Sequence, residues 1–144
     1  VMRVERIEPL SPDFAEVRRI RREVFVGEQG VSPENEFDHV DADAIHFLAW
    51  QGDAAVGTAR LYGEDGLGRI GRVAVLRAYR HGGFGEALMR AALAEAARLG
   101  YPEVLVHAQT RVRAFYERLG FQCEGTEYME ENIPHLNMRH GGSE

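Results

Sequence analysis

The sequence predicts an α/β (α+β) domain built on a mixed central sheet of about seven strands with helices on both faces. Three observations carry this expectation. A β-branched run, a basic glycine-rich turn and an alanine-leucine helix follow one another directly over residues 70–89. Residues 45–76 read as a three-strand meander broken by glycine-rich turns. A helix separates the strand at 69–76 from the short buried strand at 104–108, which makes the two parallel neighbours.

Taken in order, residues 2–8 alternate as a strand. Ser11 and Pro12 then read as the N-cap and first position of a helix. Phe14, Val17, Ile20, Val24 and Phe25 recur at helical spacing, and Gly27 and Gly30 end that helix. Residues 31–44 read as an acidic loop: Glu34, Glu36, Asp38, Asp41 and Asp43 occur without one lysine or arginine. There is room for an extra short helix after residue 30. The strands of the meander cover 45–50, 55–62 and 69–76, with a turn at 51–53. Residues 86–99 form a helix stopped by Gly100, with Pro102 just beyond. Thr110 is placed to cap a helix over 111–119, which Gly120 ends. Residues 121–139 suggest two last strands around a turn at 132–134. The expected order is β-α-β-β-β-α-β-α-β-β, in one domain covering 1–144 with its ligand-binding core at about 69–121.

Composition narrows the function. At 144 residues the chain can build a sizeable core. Its 23 acidic against 17 basic residues, a net charge of −6, argue against a nucleic-acid partner. No apolar run approaches the ~18 residues that span a bilayer, so no membrane role is expected. The first residues lack the apolar block of a signal peptide. The lone cysteine, Cys123, excludes an internal disulfide and fits a reducing, cytoplasmic setting, where it reads as a small strand residue. Six histidines and one cysteine show no tight ligand spacing, so no metal site is expected.

The glycine loop at 82–85 is the chemical centre of the sequence. A strand, a bare-backbone loop and a helix N-terminus make an anion cradle, because amides without side chains point at the ligand and the helix dipole adds about half a positive charge. A phosphate-bearing ligand is the natural occupant. No Lys-Ser/Thr pair follows these glycines, as a P-loop requires. A dinucleotide-binding loop needs a third glycine, and Gly83-Phe-Gly85 is followed by Glu86, Ala87 and Leu88. What remains is Arg80-x-x-Gly83-x-Gly85, preceded by Val73-Ala-Val75.

With these residues the sequence resembles the GNAT superfamily of acetyl-CoA-dependent N-acetyltransferases. A second block, Ala114-Phe-Tyr-Glu-Arg-Leu-Gly-Phe121, is similar to that superfamily's helix and strand beyond the splayed parallel strands. The two blocks and the element order agree over about half of the chain. Residues 21–31, Glu36-x-Asp38-x-x-Asp41, His107-Ala-Gln109 and Ile133-Pro-His135 resemble the ElaA-like or YjcF-like subgroup.

The resemblance implies the GNAT fold, acetyl-CoA as cofactor, and transfer of the acetyl group to a primary amine of a small molecule or peptide. It implies that the backbone at Val73, Ala74 and Val75 binds the pantetheine arm, and that the amides of His81, Gly82, Gly83, Phe84, Gly85 and Glu86 hold the pyrophosphate. Arg80 serves the ligand or supports the loop, whereas Arg77 reads as a solvated surface residue. Tyr116 stands where the superfamily's tyrosine protonates the departing thiolate. Gln109 stands where many relatives carry asparagine, and the subgroup shares that departure, which preserves an amide contact to the cofactor.

A general base is needed to free the amine. Glu28, Glu36, His46, His107 and His135 are the candidates, with Glu28 and His135 carried as catalytic candidates beside Tyr116. The strand before the glycine loop offers Arg69 and Arg72 in place of the superfamily's frequent glutamate. The acidic stretch at 34–43 reads by default as a solvated loop, and functionally as a rim that attracts a cationic amine or as the partner of Arg21 or Arg60. Arg21-x-x-x-Phe25, the acidic run and Arg60 also resemble acyl-homoserine-lactone synthases, which are longer and depart from this glycine loop. A non-catalytic CoA-binding regulatory module is the other alternative. C-terminal edge strands leave a homodimer open. The amine, the base, the oligomeric state and the use of acyl chains longer than acetyl stay open at this point.

Overall fold

The computed structural model describes residues 2–141. In chain order the elements are β1 (Met2–Ile7), α1 (Phe14–Arg21) with a π-helical continuation (Arg22–Glu28), α2 (Pro33–Glu36), β2 (Ile45–Gln51), β3 (Ala54–Glu64), β4 (Leu67–Val75), α3 (Phe84–Arg98), β5 (Glu103–Gln109), α4 (Arg113–Arg118), β6 (Gln122–Glu130) and β7 (Ile133–Gly141). The seven strands form one sheet in the order β1-β2-β3-β4-β5-β7-β6. Every neighbouring pair is antiparallel except β4 and β5, which are parallel. The expected order holds, including the short helix after residue 30.

Alternation along the strands sorts side chains between two faces. Phe47, Leu61, Ile70, Val104, Val106 and Met138 face α3, where Leu88 and Met89 complete the larger core. Leu48 and Ala74 face α1 and pack with Val17, Ile20 and Val24 in a second core. That second face turns polar away from α1. Arg60, Arg69, His107, Gln109 and His135 all lie on it, because Arg60 opposes Gly71, Arg69 opposes Tyr62 and Leu105, and Gln109 opposes His135.

Local details correct the sequence reading. Ser11 accepts from the Asp13 amide at 3.2 Å, but it does so in a turn, and α1 begins two residues later at Phe14. Gly27 does not stop the helix. The π-helical stretch runs through it to Glu28, and Gly30 at φ 74° turns the chain. The acidic stretch is not a loop: α2 and a 3-10 turn at His39–Ala42 occupy it, and Glu36 is buried. Thr110 caps nothing. Its buried hydroxyl has no partner, and a 3-10 turn at Thr110–Val112 leads into α4. The last turn is Glu131-Asn132, both at positive φ, the geometry of a tight hairpin. β7 therefore begins at Ile133, inside the expected turn, and carries His135.

Candidate active site

The parallel pair β4–β5 stays together only at Gly68–Val104 and Arg69–Leu105 and then parts. From Ile70 onward β4 has a free edge. The Leu76 amide donates to the Val56 carbonyl at 2.9 Å, so Ala74 shares that hydrogen-bonding direction towards β3 while Val73 and Val75 turn their amides and carbonyls towards the opening. A bulge at Arg72, where φ is 53°, shifts the alternation along β4. It is held by Arg72 itself, which donates to the Asn35 and Glu36 carbonyls at 3.2 Å each. The gap between β4 and β5 opens into a cleft of about 690 Å³. Its lining includes Val73, Val75 and Tyr116 from one side of the sheet and Arg69, His107 and His135 from the other, so the cleft passes through the sheet.

At one end of β4 lies the glycine loop. His81 and Gly83 have φ of 68° and 87°, and Gly83 is the residue before α3. A left-handed residue there suits glycine. A Cβ on Gly82 would sit 3.2 Å from the Phe84 ring and 3.3 Å from the Tyr79 carbonyl. Gly85 is different: its Cβ would make ordinary contact with Phe115 at 3.5 Å, so the protein itself does not demand glycine at that point. Phe84 turns its ring into the core against Tyr79. Glu86 pairs with Arg90 on the exposed side of α3.

Arg80 supports this loop. Its Nε donates to the Val75 carbonyl at 2.8 Å, and its other nitrogen reaches both oxygens of Glu28 at 2.9 and 3.0 Å. Glu28 lies outside the cleft lining, and its carboxylate is taken up by Arg80. Gln109 lines the cleft, yet both ends of its amide are engaged, donating to Gln29 at 2.9 Å and accepting from Arg111 at 3.0 Å.

Tyr116 is buried on α4, edge-on to Phe115 and Phe121, and borders the cleft. Burial pushes its phenol up to about 12, so it is neutral across the physiological range. Across the cleft, His135 stacks on Tyr128 and its Nδ1 lies 2.7 Å from the Ile133 carbonyl. A carbonyl only accepts, so Nδ1 carries a proton and Nε2 is the nitrogen left to accept one. His107 lies 3.5 Å from Glu130, whose carboxyl that contact holds below the usual range. Neither Glu130 nor Tyr128 stood out in the sequence, because strand pairing across β7 alone brings them to His107 and His135.

The acidic stretch is spent on arginines. Arg21, fully buried, donates to Glu36 and Asp41 at 2.8 Å each. Arg60 reaches Asp38 at 2.8 Å and Asp41 at 3.0 Å, and Arg72 reaches Glu36 at 3.1 Å and Asp38 at 3.3 Å. Three guanidiniums and three carboxylates thus cancel. Burial opposes ionisation of Asp41, but the contacts with Arg21 and then Arg60 outweigh it and hold the carboxyl low. His46 is fully buried, takes the Asp41 carbonyl at 3.0 Å and does not line the cleft. Burial lowers its basicity.

Comparison with known proteins agrees with this geometry. The family model described as "Acetyltransferase (GNAT) domain" matches residues 12–140. The chain belongs to the GNAT acetyltransferase family. An uncharacterized N-acetyltransferase of Bacillus subtilis (strain 168), YjcF, is 35% identical over 120 residues, covering 83% of this chain and 86% of the relative. An acyl-CoA N-acyltransferase from Pseudomonas aeruginosa is 33% identical with a TM-score of 0.86, covering 98% of this chain and 100% of that one. ElaA of Escherichia coli is 29% identical with a TM-score of 0.87, covering 97% and 99%. For this GNAT acetyltransferase the residues fit an acyl-CoA: the glycine cradle, the free edge of β4 and the opening through the sheet suit a diphosphate, an amide-bearing arm and a thioester in sequence. Among the described residues, no group of three or more His, Cys, Asp or Glu side chains is placed to hold a metal ion, and no helix is long and apolar enough to cross a membrane.

Proposed function

We propose that this acetyltransferase moves the acetyl group of acetyl-CoA to a primary amine in a direct ternary complex. The observation that carries the reading is the cleft through the sheet, bordered by Tyr116 on one side and His135 on the other. The amides of residues 81–86 hold the pyrophosphate at the start of α3, where the helix dipole favours negative charge. Val73 and Val75 extend their peptide groups to the pantetheine arm as to an added strand. Arg80 keeps the loop against β4 and leaves the phosphates to the backbone.

Acetyl-CoA supplies an activated thioester carbon. His135 Nε2 takes a proton from the ammonium, directly or through water, which frees the nitrogen lone pair. The N–C bond forms as the C–S bond breaks, the sulfur takes a proton from the Tyr116 phenol, and the nitrogen gives up its second proton to solvent, from which the phenol is restored. The products are the N-acetyl amine and the free thiol, with one proton released overall. Full transfer from a phenol near 12 to a thiol near 8.5 is uphill by about 5 kcal/mol. Tyr116 therefore acts first by hydrogen bonding the developing charge, and the same burial that raises the phenol raises the thiol.

The test is thiol release from acetyl-CoA with a panel of primary amines, with mass detection of the N-acetyl product. S-adenosylmethionine with longer acyl-CoA donors runs alongside. Amine-dependent release supports the reading. A protein that binds CoA and turns over no amine is a regulatory module, and a lactone product assigns it to acyl-homoserine-lactone synthesis.

A further inference from the structure

We propose that the acceptor is a compact zwitterion: Arg69 binds its carboxylate, while its reacting amine lies beside His107, Glu130 and His135. This deepens the acetyl-transfer reading and rests on it.

The charges around the cleft point to such a molecule. Arg60, Arg72 and Glu36 line the cleft but belong to the six-membered ionic cluster that sums to zero. Arg80 is matched by Glu28. The residues left over are Arg69 on β4, Arg111 just after β5, and Glu130 and Glu131 at the end of β6 and in the turn beyond it, two cations and two anions in balance. Arg69 and Glu130, three strands apart, are the poles that concern the acceptor. A cleft that carries both signs attracts a ligand with both charges and disfavours a bare anion or a bare amine.

Arg69 has free capacity for an anion. Its Nε is buried with no hydrogen-bond partner, and the nearest carboxylate, the exposed Glu64, is 3.6 Å from another of its nitrogens. A buried, unmatched guanidinium donor is costly, and a carboxylate matches the guanidinium fork with two parallel hydrogen bonds. Arg60, on the same face, also has a buried Nε without a partner. Between them Gly71 leaves the strand bare: a Cβ there would meet nothing within 4 Å, so neither packing nor backbone conformation calls for glycine. The bare strand is space for the acceptor's chain.

The spacing sets the size. Arg69 opposes Leu105, and His107 follows two residues on along the same face of β5. One strand across and two residues along is about 8 Å between Cα atoms. With side chains reaching inward, an amino acid or a short ω-amino carboxylate spans the two poles.

The experiment compares matched amines in thiol-release assays: lysine against cadaverine, β-alanine against ethylamine, and 2-aminoethylphosphonate as the phosphonate counterpart. Calorimetric titration of the same compounds into the CoA-bound protein runs in parallel. The carboxylated partner is expected to win by about tenfold or more in kcat/KM, mostly through KM. Arg69→Gln should collapse that ratio towards one, and Arg69→Lys should restore part of it. Equal or better use of the bare amines, or preference for the phosphonate, overturns the proposal. So does a ratio unchanged in Arg69→Gln. If carboxylates bind to wild type but not to Arg69→Gln, and no amine yields product, the carboxylate site stands and the acetyl-transfer reading falls.

Discussion

Arg80 clasps Glu28 through both carboxylate oxygens, at 2.9 and 3.0 Å, and so ties the glycine loop to the end of the first helix. The same guanidinium holds the Val75 carbonyl at 2.8 Å. One arginine thereby sets the distance between the loop and the free edge of β4, the two surfaces along which an acyl-CoA would lie.

Glu28→Gln should therefore act on binding. The KM for acetyl-CoA is expected to rise several-fold, with kcat within about twofold of wild type. The pH profile of kcat should keep its acid limb. A large fall in kcat with loss of that limb would instead make Glu28 the general base.

Gly83 offers the sharpest test of the cradle. Gly83→Ala must hold a side chain at φ 87°, which costs about 1 kcal/mol. Gly83→Glu adds a negative charge where amides converge. Calorimetry should show CoA binding weakened in Gly83→Ala and abolished in Gly83→Glu, with thermal melts confirming that both are folded. Undiminished affinity in a folded Gly83→Glu protein would move the cradle elsewhere.

Tyr116→Phe removes one hydroxyl and keeps the aromatic contacts with Phe115 and Phe121. Turnover should fall by about 100- to 10,000-fold, the size of one acid catalyst's contribution, while CoA affinity changes little. Because burial holds the phenol near 12, the wild-type rate should show no loss of this acid up to about pH 10. Equal turnover by the two proteins would remove Tyr116 from the chemistry.

His46 makes stability fall on mild acidification. Burial depresses its folded-state pKa below the ordinary value of 6.5, so the unfolded chain binds the extra proton more readily. Its contribution is complete above pH 6.5 and is lost as pH falls through the depressed value. Asp41, also depressed, adds a second loss below about pH 3.8, its ordinary value. Urea midpoints should decline from pH 7 to pH 5 in wild type. The decline should be shallower in His46→Gln, whose amide can still donate to the Asp41 carbonyl.

Much of this is legible in the sequence. Arg80-x-x-Gly83-x-Gly85 reads as an anion cradle because bare amides at a helix start are a local property, and the structure places Gly83 directly before α3. The element order along the chain and the parallel pairing of β4 with β5 follow from alternation and from the helix between two apolar strands, whereas the insertion of β7 between β5 and β6 does not. The site's second half was not legible. Nothing near Arg72 in sequence signals its bulge, which rests on carbonyls some 36 residues earlier. The acidic stretch is legible as a partner of Arg21 or Arg60, and both pairs form, but the share taken by Arg72 and the burial of Glu36 are not.

By itself, then, the chain dictated its elements, its glycine loop before α3 and the helix that carries Tyr116, since each is written in short-range spacing and backbone preference. Tertiary structure alone decided that Arg72 joins the ion pairs, that Arg60 and Arg69 each keep an unpaired donor, and that Glu130 meets His107 across an intervening strand. Those outcomes depend on register and desolvation between residues far apart in sequence, and no local pattern encodes them.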